Sequence, residues 1–158
     1  MSDEQDVLVK EAIAHWAPRF TTNGVSVADF QSVTSSVTRW QDWAGAWSAA
    51  AAVLEGLGQQ ALDEGRTISA GHHFWTAAVY YHFGKFVLVD FPDQMKETHA
   101  KAVQCLNQAL PFLSPHGERV LIPYRGVDMA AILRKPDGVQ NPPVVIMISG
   151  LDSAKEEL

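Results

Sequence analysis

The chain has 158 residues, 47% of them hydrophobic, with five Trp and a formal charge of −6 at pH 7. That composition suffices for a packed core and is unlike that of a disordered chain. An acidic chain without clustered Lys and Arg is not built to neutralise phosphates, so nucleic acid is not an expected partner. No run approaches the roughly 18 apolar residues of a membrane span, and no membrane partner is expected. The start, Met1-Ser2-Asp3-Glu4-Gln5-Asp6, is acidic where a signal peptide is basic, which predicts a cytoplasmic protein. Cys105 is the single cysteine and falls in an apolar helical pattern, the usual setting of a buried thiol.

The first predicted element covers about residues 3–16, with Val7, Ile13 and Trp16 at helical spacing and Pro18 as its end. Ser26 with Asp29 offers a capped start for a second, long helix. Along it Val33, Val37, Trp40, Ala44 and Trp47 recur at helical spacing, ahead of an alanine run and Leu54. Gly56 and Gly58 mark a weak point or an end. A third helix starts near Ser69 and carries Phe74, Ala78, Tyr81 and Leu88 on one face. Pro92 suits the first turn of a fourth, whose stripe is Ala102, Val103, Leu106, Ala109, Leu110 and Leu113. Residues 1–113 therefore read as an all-α unit, and no fixed-period repeat suggests a solenoid.

After Pro115 the period changes. Residues 119–124 and 128–134 are short extended segments joined through Arg125-Gly126-Val127, the pattern of a β-hairpin. Lys135-Pro136-Asp137-Gly138 is a turn, and Asn141-Pro142-Pro143 leads into Val144-Val145-Ile146-Met147-Ile148. Five apolar residues, four of them β-branched, suit a strand buried on both faces. Ser149-Gly150 turns the chain, and Asp152-Ser153 offer N-cap chemistry for a helix opening on Lys155-Glu156-Glu157. A strand that breaks into a loop and a helix is where α/β proteins present backbone N–H donors.

At these residues the chain resembles the α/β-hydrolase superfamily. Residues 144–157, VVIMISGLDSAKEE, are similar to the third strand and oxyanion loop of the subgroup of 2,6-dihydroxypseudooxynicotine hydrolase and the fermentation-respiration switch protein esterases. That subgroup carries a Gly-Leu-Asp-Ser-x-Lys-Glu-Glu signature, met position by position at residues 150–157, with Ser149 where many relatives have a second glycine. A segment like residues 77–86, AAVYYHFGKF, lies in the helical cap that precedes its sheet. The resemblance implies an α/β protein: an N-terminal helical cap, residues 1–113, then the first strands of a truncated hydrolase sheet, residues 114–158. It implies a serine nucleophile, an acid and a His in that order, acting on an ester or an activated C–C bond. No G-x-S-x-G elbow occurs here, so the 158-residue chain alone is expected to be inactive and the triad to lie beyond it.

The resemblance also assigns roles. The Leu151 backbone N–H is the first choice for one oxyanion donor, with Gly150 and Asp152 close behind and ordering the loop. Lys155, Glu156 and Glu157 would support that loop through a salt bridge, or would only be charges of a helix start. Tyr80, Tyr81 and His82 would line a substrate pocket, or pack in the core with satisfied polar tips. The partner implied is a small-molecule substrate, a homodimer is the assembly common among relatives, and no cofactor is implied. His72, His73, His82 and His99 lack the i, i+4 spacing with a supporting carboxylate of a helical zinc site, so no metal is expected. Trp40, Trp43 and Trp47 read as core or cap–sheet interface in preference to a stacking surface. A second class remains open: a non-catalytic helical interaction module with a remnant β tail.

Overall fold

A computed structural model describes residues 5–150 and 153–157. Five helices come first: α1 (Val7–Thr22), α2 (Val27–Ser36), α3 (Trp43–Asp63), α4 (Thr67–Lys85) and α5 (Pro92–Ala109). Short 3-10 turns at Trp40–Asp42 and Leu110–Phe112 precede α3 and follow α5. Strands β1 (Gly117–Tyr124) and β2 (Val127–Arg134) form an antiparallel hairpin, and a last 3-10 turn covers Lys155–Glu157. The helix-rich architecture with its hairpin agrees with the fold class read from the sequence.

Helix α4 is the axis of the helical part. Every residue from 77 to 84 is buried, so this helix is covered all round. Its Phe83 ring stacks on Phe20 of α1 at 3.8 Å and 19°. Trp43 and Trp47 of α3 close around Phe20, and the Trp43 indole N–H donates to the Phe83 carbonyl at 3.0 Å. The three tryptophans of the sequence pattern are thus core residues, at 7% exposure for Trp40 and none for Trp43 and Trp47.

That core explains two departures from the expected helix ends. Pro18 does not end α1, which runs on to Thr22. The carbonyl that Pro18 leaves without a donor belongs to exposed Ala14, where water can serve it, and two residues on Phe20 enters the core. The second helix, conversely, is not continuous from Ser26 to Trp47. It begins as expected, with Ser26 Oγ accepting from the Asp29 N–H at 3.0 Å, but stops at Ser36. Thr34, Ser35 and Ser36 each donate a side-chain hydroxyl to a carbonyl three or four residues back, which competes with the helix. Gln5 Nε2 then donates to the Thr34 and Val37 carbonyls at 3.0 and 2.8 Å and fixes the break. Burial of Val33, Val37, Trp40 and Trp47 follows the stripe even though the helix does not.

The hairpin turns at Arg125 (φ 48) and Gly126 (φ 82), the left-handed pair of a two-residue turn that matches strand twist. Arg134 ties the end of β2 to the segment leading into β1 by donating twice to the Pro115 carbonyl, at 3.1 and 2.8 Å. Residues 144–148 correct the sequence reading. They form no strand, and their exposure runs from 69% to 87%. A strand exists only through hydrogen-bonded neighbours, and the two described strands pair with each other alone. At the end, a 3-10 turn stands where the start of an α-helix was expected.

Gly56 and Gly58 neither end nor break α3, and they differ sharply. A Cβ on Gly56 would meet nothing within 4 Å, whereas one on Gly58 would lie 2.9 Å from the Phe74 ring. Gly56→Ala should therefore stabilise the chain by about 0.5–1 kcal/mol through helix propensity. Gly58→Ala should destabilise it by about 1–3 kcal/mol through overpacking. Urea unfolding of the two variants beside the parent chain measures both, and equal shifts of one sign would refute the packing described.

Candidate functional site

Of the residues singled out from the sequence, His82 of the helical part and Glu157 of the terminal segment come together. Glu157 is 6% exposed and Glu156 1%, although both stand in a charged sequence. Glu157 Oε1 takes three donors: Arg19 Nη2 of α1 at 2.7 Å, the Ala154 N–H at 3.2 Å and the Ser153 hydroxyl. Its Oε2 faces His82 Nε2 of α4 at 3.3 Å, a close polar contact off the line of a good hydrogen bond. Arg19 reaches this point across the Phe86 ring, 4.7 Å from its centroid, with Trp16 at 5.7 Å.

Burial alone would push the Glu157 carboxyl up. The interaction with His82, the Ser153 hydrogen bond and Arg19 outweigh it and hold the group at about 2. Glu156 is lowered too, with Lys155 Nζ at 2.8 Å offsetting its burial, and Arg119 Nη1 of β1 stands 3.9 Å away. Lys85 and His99 face the same knot from α4 and α5. Burial lowers Lys85 against the pull of Glu156 and Glu157, and burial with the nearby Lys85 lowers His99.

The loop itself is partly described. Gly150 is exposed, and its carbonyl accepts from the Ser153 N–H at 3.4 Å, closing a turn. Leu151 and Asp152, the expected donor and loop-ordering residue, lie outside the described residues. Ser153 does not act as the expected helix cap, since its hydroxyl goes to Glu157.

Tyr80, Tyr81 and His82 are consecutive on α4, so their tips diverge by about 100° each. The Tyr80 hydroxyl donates to Asp29 Oδ2 of α2 at 2.6 Å, and burial together with this bond raises its pKa to about 12. Tyr81 donates to Glu55 Oε2 of α3 at 2.9 Å and is raised by burial and by that carboxylate. Tyr81 also borders an open hollow of about 650 Å³ with Gln41, Asp42, Ser48, Glu97 and Lys101. His82 turns away to Glu157. Among the described residues no group of three His, Cys, Asp or Glu is placed to hold a metal ion. Burial raises the Cys105 thiol to about 12, which makes it a poor nucleophile.

Sequence reading singled out His82 and Glu157 separately and missed Arg19 altogether. Arg19 and Glu157 are 138 residues apart, and no local pattern could have linked them. A Trp-x-x-Arg step on α1 offered a weak cation–π hint only.

The helical bundle followed by an antiparallel hairpin matches the N-terminal helical part of an α/β-hydrolase-fold neighbour. The crystal structure of 2,6-dihydroxy-pseudo-oxynicotine hydrolase superimposes with a TM-score of 0.78 at 29% identity, over 90% of this chain and 40% of that one. In sequence, the 2,6-dihydropseudooxynicotine hydrolase of Paenarthrobacter nicotinovorans is 28% identical over 99% of this chain and 42% of its own length. Hydrolase phmG of Phaeosphaeria nodorum is 30% identical over 85% of this chain and 35% of its own. Hydrolyase poxO of Penicillium oxalicum is 28% identical over 75% and 30%. No family model matches the chain. The chain is thus a homologue of these hydrolases and spans about 40% of their length or less.

Acidification tests the carboxylate. A group with a depressed pKa adds stability above its unfolded value, here 4.5, and loses it as pH falls through its folded value, about 2. Stability of the parent chain should fall between about pH 5 and 2, with up to roughly 3 kcal/mol from this group. Glu157→Gln should cost about 2–3 kcal/mol at pH 7, the gap narrowing toward pH 2. Denaturant unfolding across this range reads the gap. A gap independent of pH would show that the charge of Glu157 carries no stability.

Proposed function

We propose that this chain is the cap-and-loop portion of a serine-type α/β-hydrolase acting on an ester or an activated C–C bond of a small molecule. Leu151 supplies one oxyanion N–H, with Gly150 and Asp152 shaping the loop around it. The second donor and the nucleophile, acid and His come from sequence other than these 158 residues, in which no G-x-S-x-G elbow occurs. Removing one oxyanion donor from such an enzyme costs roughly 3 kcal/mol of transition-state stabilisation, so the loop's placement matters to rate. The observation that supports this reading most is the seating of residues 153–157, the end of the signature, against α1 and α4 by the buried Glu157. A loop that only trailed from a binding module would have no reason to bury two carboxylates. The substrate would lie beneath the cap, in a cytoplasmic enzyme whose lone buried thiol suits a reducing compartment.

Two assays decide it. The 158-residue chain should leave a chromogenic aryl ester untouched, since no activated serine is present. The product of the reading frame continued past Leu158 should contain G-x-S-x-G, cleave the ester and be silenced by a serine-directed fluorophosphonate. Ester cleavage by the short chain would overturn the assignment of the nucleophile. A stop codon directly after Leu158 would favour the binding-module class.

A further inference from the structure

The bonds at Glu157 divide by origin. On one side Oε1 accepts from the Ser153 hydroxyl and the Ala154 N–H, both within its own segment. On the other, Oε1 meets Arg19 of α1 and Oε2 faces His82 of α4, both in the helical part. Ser153 in turn donates its N–H to the Gly150 carbonyl, so the same residue that grips Glu157 also holds Gly150. A continuous path of polar contacts therefore runs from α1 and α4 through one carboxylate to the candidate oxyanion loop.

Two features show that this seat is conditional. The Glu157 side chain is 2% exposed and His82 is fully buried, so neither has water as an alternative partner while the segment is docked. A buried carboxylate is tolerated only while paired, and breaking one pair leaves water the better place for it. Weakening the anchor should therefore release the segment as a unit. The second feature is the shape of the socket. His82 lies edge-on to Phe83, 5.2 Å between ring centroids and 72° apart, on the most buried stretch of α4. The imidazole cannot follow the loop, so the loop must come to it.

We propose that Glu157 is a positioning residue through which the helical cap holds the oxyanion loop, with His82 as its fixed anchor and Arg19 as its charge partner. The role in catalysis rests on the hydrolase reading above, while the anchoring itself does not. The cap would thereby set the geometry of the loop as well as cover the substrate.

Amide hydrogen exchange of the 158-residue chain tests the anchor directly. His82→Leu keeps the site apolar and filled but removes the nitrogen facing Glu157. Exchange in residues 153–157 should rise about tenfold, with α3 and α5 unchanged, the ratio expected when a buried carboxylate loses one polar partner. His82→Gln, which can place an amide N–H near the same point, should restore most of the protection. Arg19→Met should loosen the same residues independently. Unchanged exchange at 153–157 in His82→Leu and Arg19→Met overturns the proposal. So does a uniform loss across all helices, or equal loosening by Leu and Gln at position 82, since each marks a packing role. In the longer hydrolase, His82→Leu should lower kcat about tenfold with KM little changed, and an unchanged kcat would overturn the positioning role. Absence of esterase activity in the parent as well would sink the hydrolase reading alone, because the exchange data decide the anchor without it.

Discussion

The stretch of α4 from residue 77 to 84 has no side to give to water, and the rest of the helical part is arranged by that constraint. Eight consecutive buried residues require neighbours on all sides, which α3, α5, α1 and the terminal segment supply. Small residues make the approach possible. Gly84 would bring a Cβ to 3.1 Å of Trp47 and of Thr98, and Gly71 to 2.7 Å of Phe112. Larger side chains at these points would hold α3 and α5 off and open the aromatic core around Phe20 and Phe83.

Within so apolar an axis, each polar group needs a designated partner. Tyr80 finds Asp29, Tyr81 finds Glu55, the Trp43 indole finds the Phe83 carbonyl, and His82 faces Glu157. The partners of α4 sit on three other segments, α2, α3 and the terminal turn, so the helix distributes its polar tips as a set of addresses. The address at His82 is the one that reaches the loop. Burial raises both tyrosines, as expected of hydroxyls that serve as donors to fixed carboxylates.

Opposing demands act on the terminal segment. Residues 144–148 expose five large apolar side chains, while a few residues later Glu156 and Glu157 are buried. The apparent inversion has one cause. Apolar strand residues are buried by pairing and stacking with other strands, and the described hairpin offers none to them. The carboxylates, by contrast, find complements: Glu157 in Arg19 and His82 of the helical part, and Glu156 in the neighbouring Lys155.

Local chemistry alone sets the helical class of the first 113 residues, the Ser26 cap, the start of α5 at Pro92, the hairpin turn and the burial of Trp40, Trp43 and Trp47. All of these are set by neighbours within a few positions: a side-chain oxygen near an N–H, a ring that fixes φ, a glycine that accepts positive φ, a spacing of three or four. Only the tertiary structure decided that α1 passes through Pro18, that the Ser/Thr run breaks the second helix, and that α3 ignores Gly56 and Gly58. Propensity differences of about 1–3 kcal/mol lose to the burial of a ring such as Phe20. Above all, the meeting of Arg19, His82 and Glu157 was closed to local reading. A charged side chain states in sequence only that it needs a partner, and long-range packing alone says which one it gets.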